Sequence, residues 1–147
     1  MNSAYTKKIM KICLVSKEYP PETGFGGIGT YTYELAQGLS QLGHEVHVIS
    51  KAPGEERSYQ DQQVHVHRIK ERMPWGFYKL KNLIPVEMFF YSVRVSQKIY
   101  ELTERYKIEM VEVPEWEAEG FWYSFSRKFL TSFVMSSLLC RIFSSEE

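Results

Sequence analysis

"KICLVSKEYPPETGFGGIGTYTYELAQGLSQLGHEVHVIS", Lys11 to Ser50, carries three patterns in succession. Lys11 to Val15 is a short run in which Ile12, Leu14 and Val15 are apolar, as in a buried strand. A glycine-rich loop follows, and then Ile28, Tyr31, Leu35, Leu39 and Leu42 recur at helical spacing. Gly43 stands where a helix C-terminus favours a left-handed residue. Glu45 to Ser50 reads as a second strand. Strand, loop, helix and strand with short connections is the pattern that builds a parallel sheet. The expected fold class is therefore α/β, a Rossmann-like parallel sheet flanked by helices.

The rest of the chain extends this unit. Pro53 to Gln63 is polar without apolar periodicity, which predicts a surface loop. Val64 to Ile69 alternates and predicts a third strand. Met73 to Pro85 is aromatic and irregular; its Trp75, Phe77 and Tyr78 are expected in the core rather than against sugars or a membrane. From Val86 onward, Phe89, Phe90, Val93, Ile99, Leu102 and Tyr106 trace one face of a long helix. Glu109 to Val113 is a fourth strand stopped by Pro114. A helix is expected near Ala118 and a fifth strand near Ser132 to Met135.

Composition narrows the function classes. The 147 residues are 44% hydrophobic and 24% charged, enough for one globular core without disulfides or metal. Eighteen Lys plus Arg balance eighteen Asp plus Glu, so nothing gives the basic footprint of a nucleic-acid binder. Cys13 and Cys140 lack metal-ligand spacing and read as two reduced thiols of a cytoplasmic protein. The N-terminus has no long apolar segment ahead of a cleavage site, and the longest later apolar stretch, Phe129 to Phe143, is interrupted and too short to span a bilayer. Membrane association is expected to be peripheral at most.

The loop contains a literal G-x-G-x-x-G at Gly24, Gly26 and Gly29. In a dinucleotide-binding fold the first glycine turns directly after the first strand, and an acidic residue about 20 positions on takes the ribose hydroxyl. Here "KEYPPET" intervenes before Gly24, and Ser50 and Lys51 stand where the acid would be. A nicotinamide-dependent oxidoreductase domain is therefore a rival reading and not the first one. A glycine loop at the carboxyl end of strand one still has a binding position. Gly26, Gly27 and Gly29 allow close backbone approach, and Ile28 to Thr30 begin a helix whose dipole favours an anion. The expected ligand contact is a phosphate or a sugar.

These residues resemble the opening of the glycogen-synthase-like retaining glycosyltransferases of the GT-B fold. In that family a first strand leads into Pro-Pro…Gly-Gly-x-Gly and a helix ending Leu-x-x-x-Gly-His-x-Val. Leu39, Gly43, His44 and Val46 fit that ending, and "VEVPEWEAEGFWYS" is similar to a later strand ending in Pro-Glu-Trp. The resemblance implies a two-domain enzyme whose amino-terminal domain binds the sugar acceptor and whose carboxyl-terminal domain holds a nucleotide-sugar co-substrate. It implies that the loop of Gly26, Gly27, Ile28, Gly29 and Thr30 faces the donor phosphates, and that Glu115, Trp116 and Glu119 line the acceptor side. It implies no further cofactor, and it names neither donor, acceptor nor oligomeric state. Where the family continues into Arg-Leu-His-Thr-Pro, this chain reads "SSLLCRIFSSEE", and no His or Pro follows Pro114. The expectation is a domain over residues 1–135, a divergent tail over 136–147, and no donor-binding domain or paired glutamates. Such a chain is expected to be inactive alone; a non-catalytic binding module is the second rival.

Three other features are weaker. Glu115, Glu117 and Glu119 alternate in a loop, which does not fix the flanking pair that glycoside hydrolysis needs. His44, His47, His65 and His67 suggest a metal centre but lack carboxylate or thiolate partners at ligand spacing. The helix from Val86 carries Arg94, Lys98, Arg105 and Lys107, diluted by Glu101 and Glu104, and reads as a sheet-covering helix.

Overall fold

The computed structural model describes residues 8–24, 26–74, 76–77, 86–114, 123, 134–136 and 139–143. In chain order the elements are β1 (Lys11–Val15), α1 (Gly27–Gln41), β2 (Glu45–Lys51), β3 (Arg57–Asp61), β4 (Val64–Ile69), α2 (Val86–Tyr106), β5 (Met110–Pro114), β6 (Val134–Ser136) and β7 (Leu139–Phe143). Among the described residues the strands form one sheet in the order β3-β4-β2-β1-β5-β7-β6. The four strands expected from the sequence are parallel neighbours: β1 pairs with β2 and β5, and β2 with β4. The α/β, Rossmann-like expectation holds.

Each central strand is buried on both faces, as parallel strands between helices must be. On one face Ile12, Leu14, Val46, Val48, Val64 and Val66 pack with Ala36 of α1. On the other, Cys13, Val15, Ile49, Ile69, Val111 and Val113 pack with Val95, Ile99 and Leu102 of α2. Helix α1 ends as expected at Gly43, whose φ is +89°. Gly43 N–H donates to Ser40 O and His44 N–H to Leu39 O, which satisfies the last carbonyls of the helix.

The helix faces differ from the periodicity. In α1 the fully buried stripe is Gly29, Thr32, Ala36 and Ser40, with Leu35 and Leu39 packed beside it; Tyr31 and Leu42 are exposed. Small residues let the helix axis approach the sheet, so the larger apolar groups lie along its flanks. In α2 the stripe runs Tyr91, Val95, Ile99 and Leu102, while Phe89 is exposed and Phe90 and Val93 are half-buried. Phe77 is also exposed, with its ring edge against Phe90, so it is not a core residue. Trp75 and Tyr78 lie outside the described residues.

The surface loop expected over Pro53 to Gln63 contains β3, an antiparallel edge strand on β4. Its sequence, "RSYQD", has one large apolar group, Tyr59, which packs against the α1-side core. The turn to β4 uses Gln62 at φ +54°, without the Asn-Gly or Asp-Gly signal that marks most such hairpins. At the other edge β6 is the strand expected near Met135, and β7 pairs antiparallel with both β5 and β6.

Candidate functional site

The site grows from the carboxyl end of β1. Ser16 continues the strand register through its N–H to Ile49 O at 3.0 Å, and its hydroxyl donates to Glu18 O at 2.7 Å. The chain then doubles back in a small turn: Tyr19 and Thr23 form a bridge, and Thr23 Oγ1 accepts from Tyr19 N–H at 2.9 Å. Gly24 follows with φ +57°, a left-handed conformation that favours glycine. Gly26 is the N-cap of α1, which has no side-chain cap and no acidic residue in its first turn.

The three glycines of the G-x-G-x-x-G match curve around the chain's own Glu18. A β-carbon at Gly24 would stand 2.6 Å from the Glu18 carboxyl carbon, and one at Gly26 2.7 Å from Glu18 Oε2. One at Gly29 would stand 2.9 Å from the Gly24 carbonyl oxygen. Among the described residues, a β-carbon at Gly27 would meet nothing within 4 Å. The left-handed φ accounts for Gly24 and the Gly24 carbonyl for Gly29, whereas at Gly26 the neighbour is only the mobile end of the Glu18 side chain and Gly27 is exposed at the helix start and open to an approaching group. Ile28 is half-buried and Thr30 exposed beside it. The dinucleotide reading finds no support at β2: Ser50 Oγ donates to Lys17 O at 3.0 Å, and Lys51 Nζ pairs with Glu71 at 3.3 Å. Neither can accept a ribose hydroxyl as a carboxylate does.

Glu115, Trp116 and Glu119 lie outside the described residues. Glu112, earlier in the same segment, was not singled out in the sequence. It is 5% exposed, and Tyr31 of α1 donates its hydroxyl to Glu112 Oε1 at 3.2 Å. This places a buried carboxylate one helical turn from the glycine loop. An acid inside the apolar run "MVEV" was the available signal.

Arg68 was also missed, and among the described residues it is the largest fully buried side chain. Its Nη2 donates to Tyr19 O at 2.7 Å and Tyr59 OH at 3.1 Å. Its Nη1 donates to Thr23 Oγ1 at 2.8 Å and Ser50 Oγ at 3.0 Å. Glu22 balances the charge at 3.7 Å from Nε and also pairs with Arg57. The sequence signal was a charge at a core-facing position of the alternating strand "VHVHRI".

The histidines stack rather than converge. No group of three or more His, Cys, Asp or Glu could hold a metal ion among the described residues. His44 Nδ1 accepts from Met10 N–H at 3.0 Å, a structural role. On the α2 face, Ser58 Oγ lies 2.9 Å from His67 Nδ1, His67 Nε2 lies 3.1 Å from His47 Nδ1, and His47 Nε2 lies 3.1 Å from Glu45 Oε1. Two neutral imidazoles satisfy this chain in one direction, with Ser58 donating at one end and the Glu45 carboxylate accepting at the other. Burial, with the nearby positive charge of Lys98 second, pushes His67 down to about 3, and burial also lowers His47 despite Glu45. For Glu45, burial works upward, but the hydrogen bonds from His47 and Lys11 outweigh it and hold the carboxyl below its ordinary value. His67 is thus far from a base poised near neutral pH, and with His47 it forms a packing stack.

The chain is a Rossmann-like α/β domain with a glycine loop at the carboxyl end of β1, and comparison with known proteins gives it a family. The family model of glycosyltransferase family 4 matches residues 25–123. The chain belongs to glycosyltransferase family 4. Over 44 residues it is 43% identical to the glycogen synthase of Mycobacterium tuberculosis, in both strain CDC 1551 / Oshkosh and strain ATCC 25618 / H37Rv. That match covers 30% of this chain and 10% of those relatives' length.

Proposed function

We propose that this chain is the acceptor-side domain of a nucleotide-sugar-dependent retaining glycosyltransferase, with Gly26, Gly27, Ile28, Gly29 and Thr30 turned toward the donor pyrophosphate. The observation that carries the reading is Gly27. It begins a helix without a capping side chain, and among the described residues no contact demands a glycine there. A ligand that must come close to the backbone gives that glycine a reason, and phosphate oxygens suit the positive end of the helix. Family membership and the partial likeness to glycogen synthases support the same chemistry. Glu115, Trp116 and Glu119, after β5, are the proposed acceptor contacts, and a sugar acceptor is the proposed partner.

Transfer is proposed to need a second domain that holds the nucleotide-sugar. Holding donor and acceptor in near-attack geometry contributes roughly 7–11 kcal/mol, and one domain cannot supply both halves of that alignment. Incubating the purified 147-residue chain with a panel of nucleotide-sugars and candidate acceptors tests this. No turnover is expected. Turnover that scales with protein and disappears on Gly27→Trp would overturn the view that the domain is inactive alone while keeping the loop's role.

A further inference from the structure

We infer that Arg68, at the carboxyl end of β4, is the positioning residue that sets the glycine loop for its phosphate; the inference rests on the reading of that loop given above. After Ser16 the chain stays tied to the sheet at Lys17, whose carbonyl accepts from Lys51 N–H and Ser50 Oγ, and at the buried Tyr19, whose hydroxyl donates to Asp61. Beyond those ties, the turn from Tyr19 to Thr23 leads into Gly24 and α1. A guanidinium from β4 reaches the backbone of that turn and its Thr23 hydroxyl together. Arg68 reaches the backbone carbonyl of Tyr19 and the hydroxyl of Thr23 on the turn, and Ser50 of β2 and Tyr59 of β3 on the sheet. Its Cζ lies 5.7 Å from the centroid of the Tyr19 ring and 5.9 Å from that of the Tyr59 ring, so both rings attract the charge that the hydrogen bonds orient.

Several features make this more than ordinary core packing. Arg68 is 1% exposed, and a buried charge costs several kcal/mol unless geometry and partners compensate. An apolar side chain of similar volume would fill the space without that cost. What it could not do is hold both ends of the turn at once, because only a fork of donors reaches Tyr19 O and Thr23 Oγ1 together. Thr23 Oγ1 transmits the tie onward, since it also accepts from Tyr19 N–H and donates to Tyr19 O at 3.1 Å. The same turn aims Glu18, whose side chain packs under Gly24, Gly26 and Gly29. Arg68 thus acts on the phosphate through the turn and the glycines, without touching the ligand.

The test uses the whole 15N-labelled chain, inorganic pyrophosphate as probe, and the variants Arg68→Lys and Thr23→Val. Lysine keeps the charge and loses the fork; valine keeps the shape of Thr23 and loses its hydroxyl. Amide exchange without ligand is read first. Both variants are expected to speed exchange at Thr30, whose N–H donates to Gly26 O, at least tenfold, while amides of Val46 to Ile49 and Val64 to Val66 stay as in the wild type. Unchanged exchange in the loop overturns the positioning role, whichever ligand the loop takes. Pyrophosphate titration is read second. Shifts at Gly26 to Thr30 in the wild type, weakened at least tenfold in both variants, support the inference. Equal binding by wild type and variants overturns it. No pyrophosphate shift in the wild type counts against the phosphate reading of the loop, and with it against Arg68 as its positioning residue. Should Arg68→Lys lose the sheet amides as well, Thr23→Val alone decides, because Thr23 lies outside the core.

Discussion

Gly27 and Gly29 share the first turn of α1 and have opposite surroundings. Ala at Gly27 meets no neighbour among the described residues, and alanine is favoured over glycine in a helix by about 1 kcal/mol, so Gly27→Ala is expected to leave stability unchanged or slightly raised. Valine at Gly29 drives its β-carbon against the Gly24 carbonyl, and overpacking of this kind costs about 1–3 kcal/mol. Urea denaturation of the two variants checks the contrast; equal midpoints would refute it. His67 gives a pH dependence whose sign follows from its depressed value of about 3 against an ordinary 6.5. Between those values the unfolded chain binds the proton and the folded chain does not, so this contribution to stability is present above about 6.5 and is lost as the pH falls toward 3. The loss is at most about 1.4 kcal/mol per pH unit for one group. Denaturation at about pH 7.5 and about pH 5.5 should show the wild type weakening and His67→Gln weakening less. A steeper fall in the variant would contradict the neutral stack.

At the scale of elements, α2 closes one face of the sheet through a single stripe. Ile99 is fully buried in the cluster of Cys13, Ile49 and Val111. Ile99→Ala is expected to cost about 2–5 kcal/mol, with the spread set by how far the cavity collapses. Phe89→Ala, on the exposed side of the same helix, is expected to cost far less. Thermal unfolding of both variants measures the difference, and similar losses would mean that the stripe is misplaced. The stripe also explains what periodicity missed. Apolar residues on α2 outnumber the positions that reach the sheet, so Phe89, Phe90 and Val93 satisfied a helical pattern without being its buried face. In α1 the error ran the other way: Gly29, Thr32, Ala36 and Ser40 are too small or too polar to register as an apolar stripe, yet smallness is what brings the helix onto the sheet.

For the whole molecule, the equal count of acidic and basic residues leaves no net charge near neutral pH. Association is expected to be strongest there at low salt and to fall as the pH moves either way, a trend that light scattering can follow. A minimum of scattering near pH 7 would show that local patches outweigh the net charge. The sequence by itself determined the parallel strands β1, β2, β4 and β5, the helices between them and the position of the glycine loop. These follow from short-range periodicity, breakers and caps, which any stretch of chain carries within itself. It also held the family's motifs, because their spacing is local. Only the tertiary structure decided which helix face is buried, that polar "RSYQD" completes an edge strand, and that Glu18 fills the curve of three glycines while Gly27 stays open. Only it showed that Arg68 of β4 fastens the turn from Tyr19 to Thr23, and that Tyr31 meets Glu112. Those facts depend on groups far apart in the chain, and which partner a buried charge finds is set by packing, to which local pattern is blind.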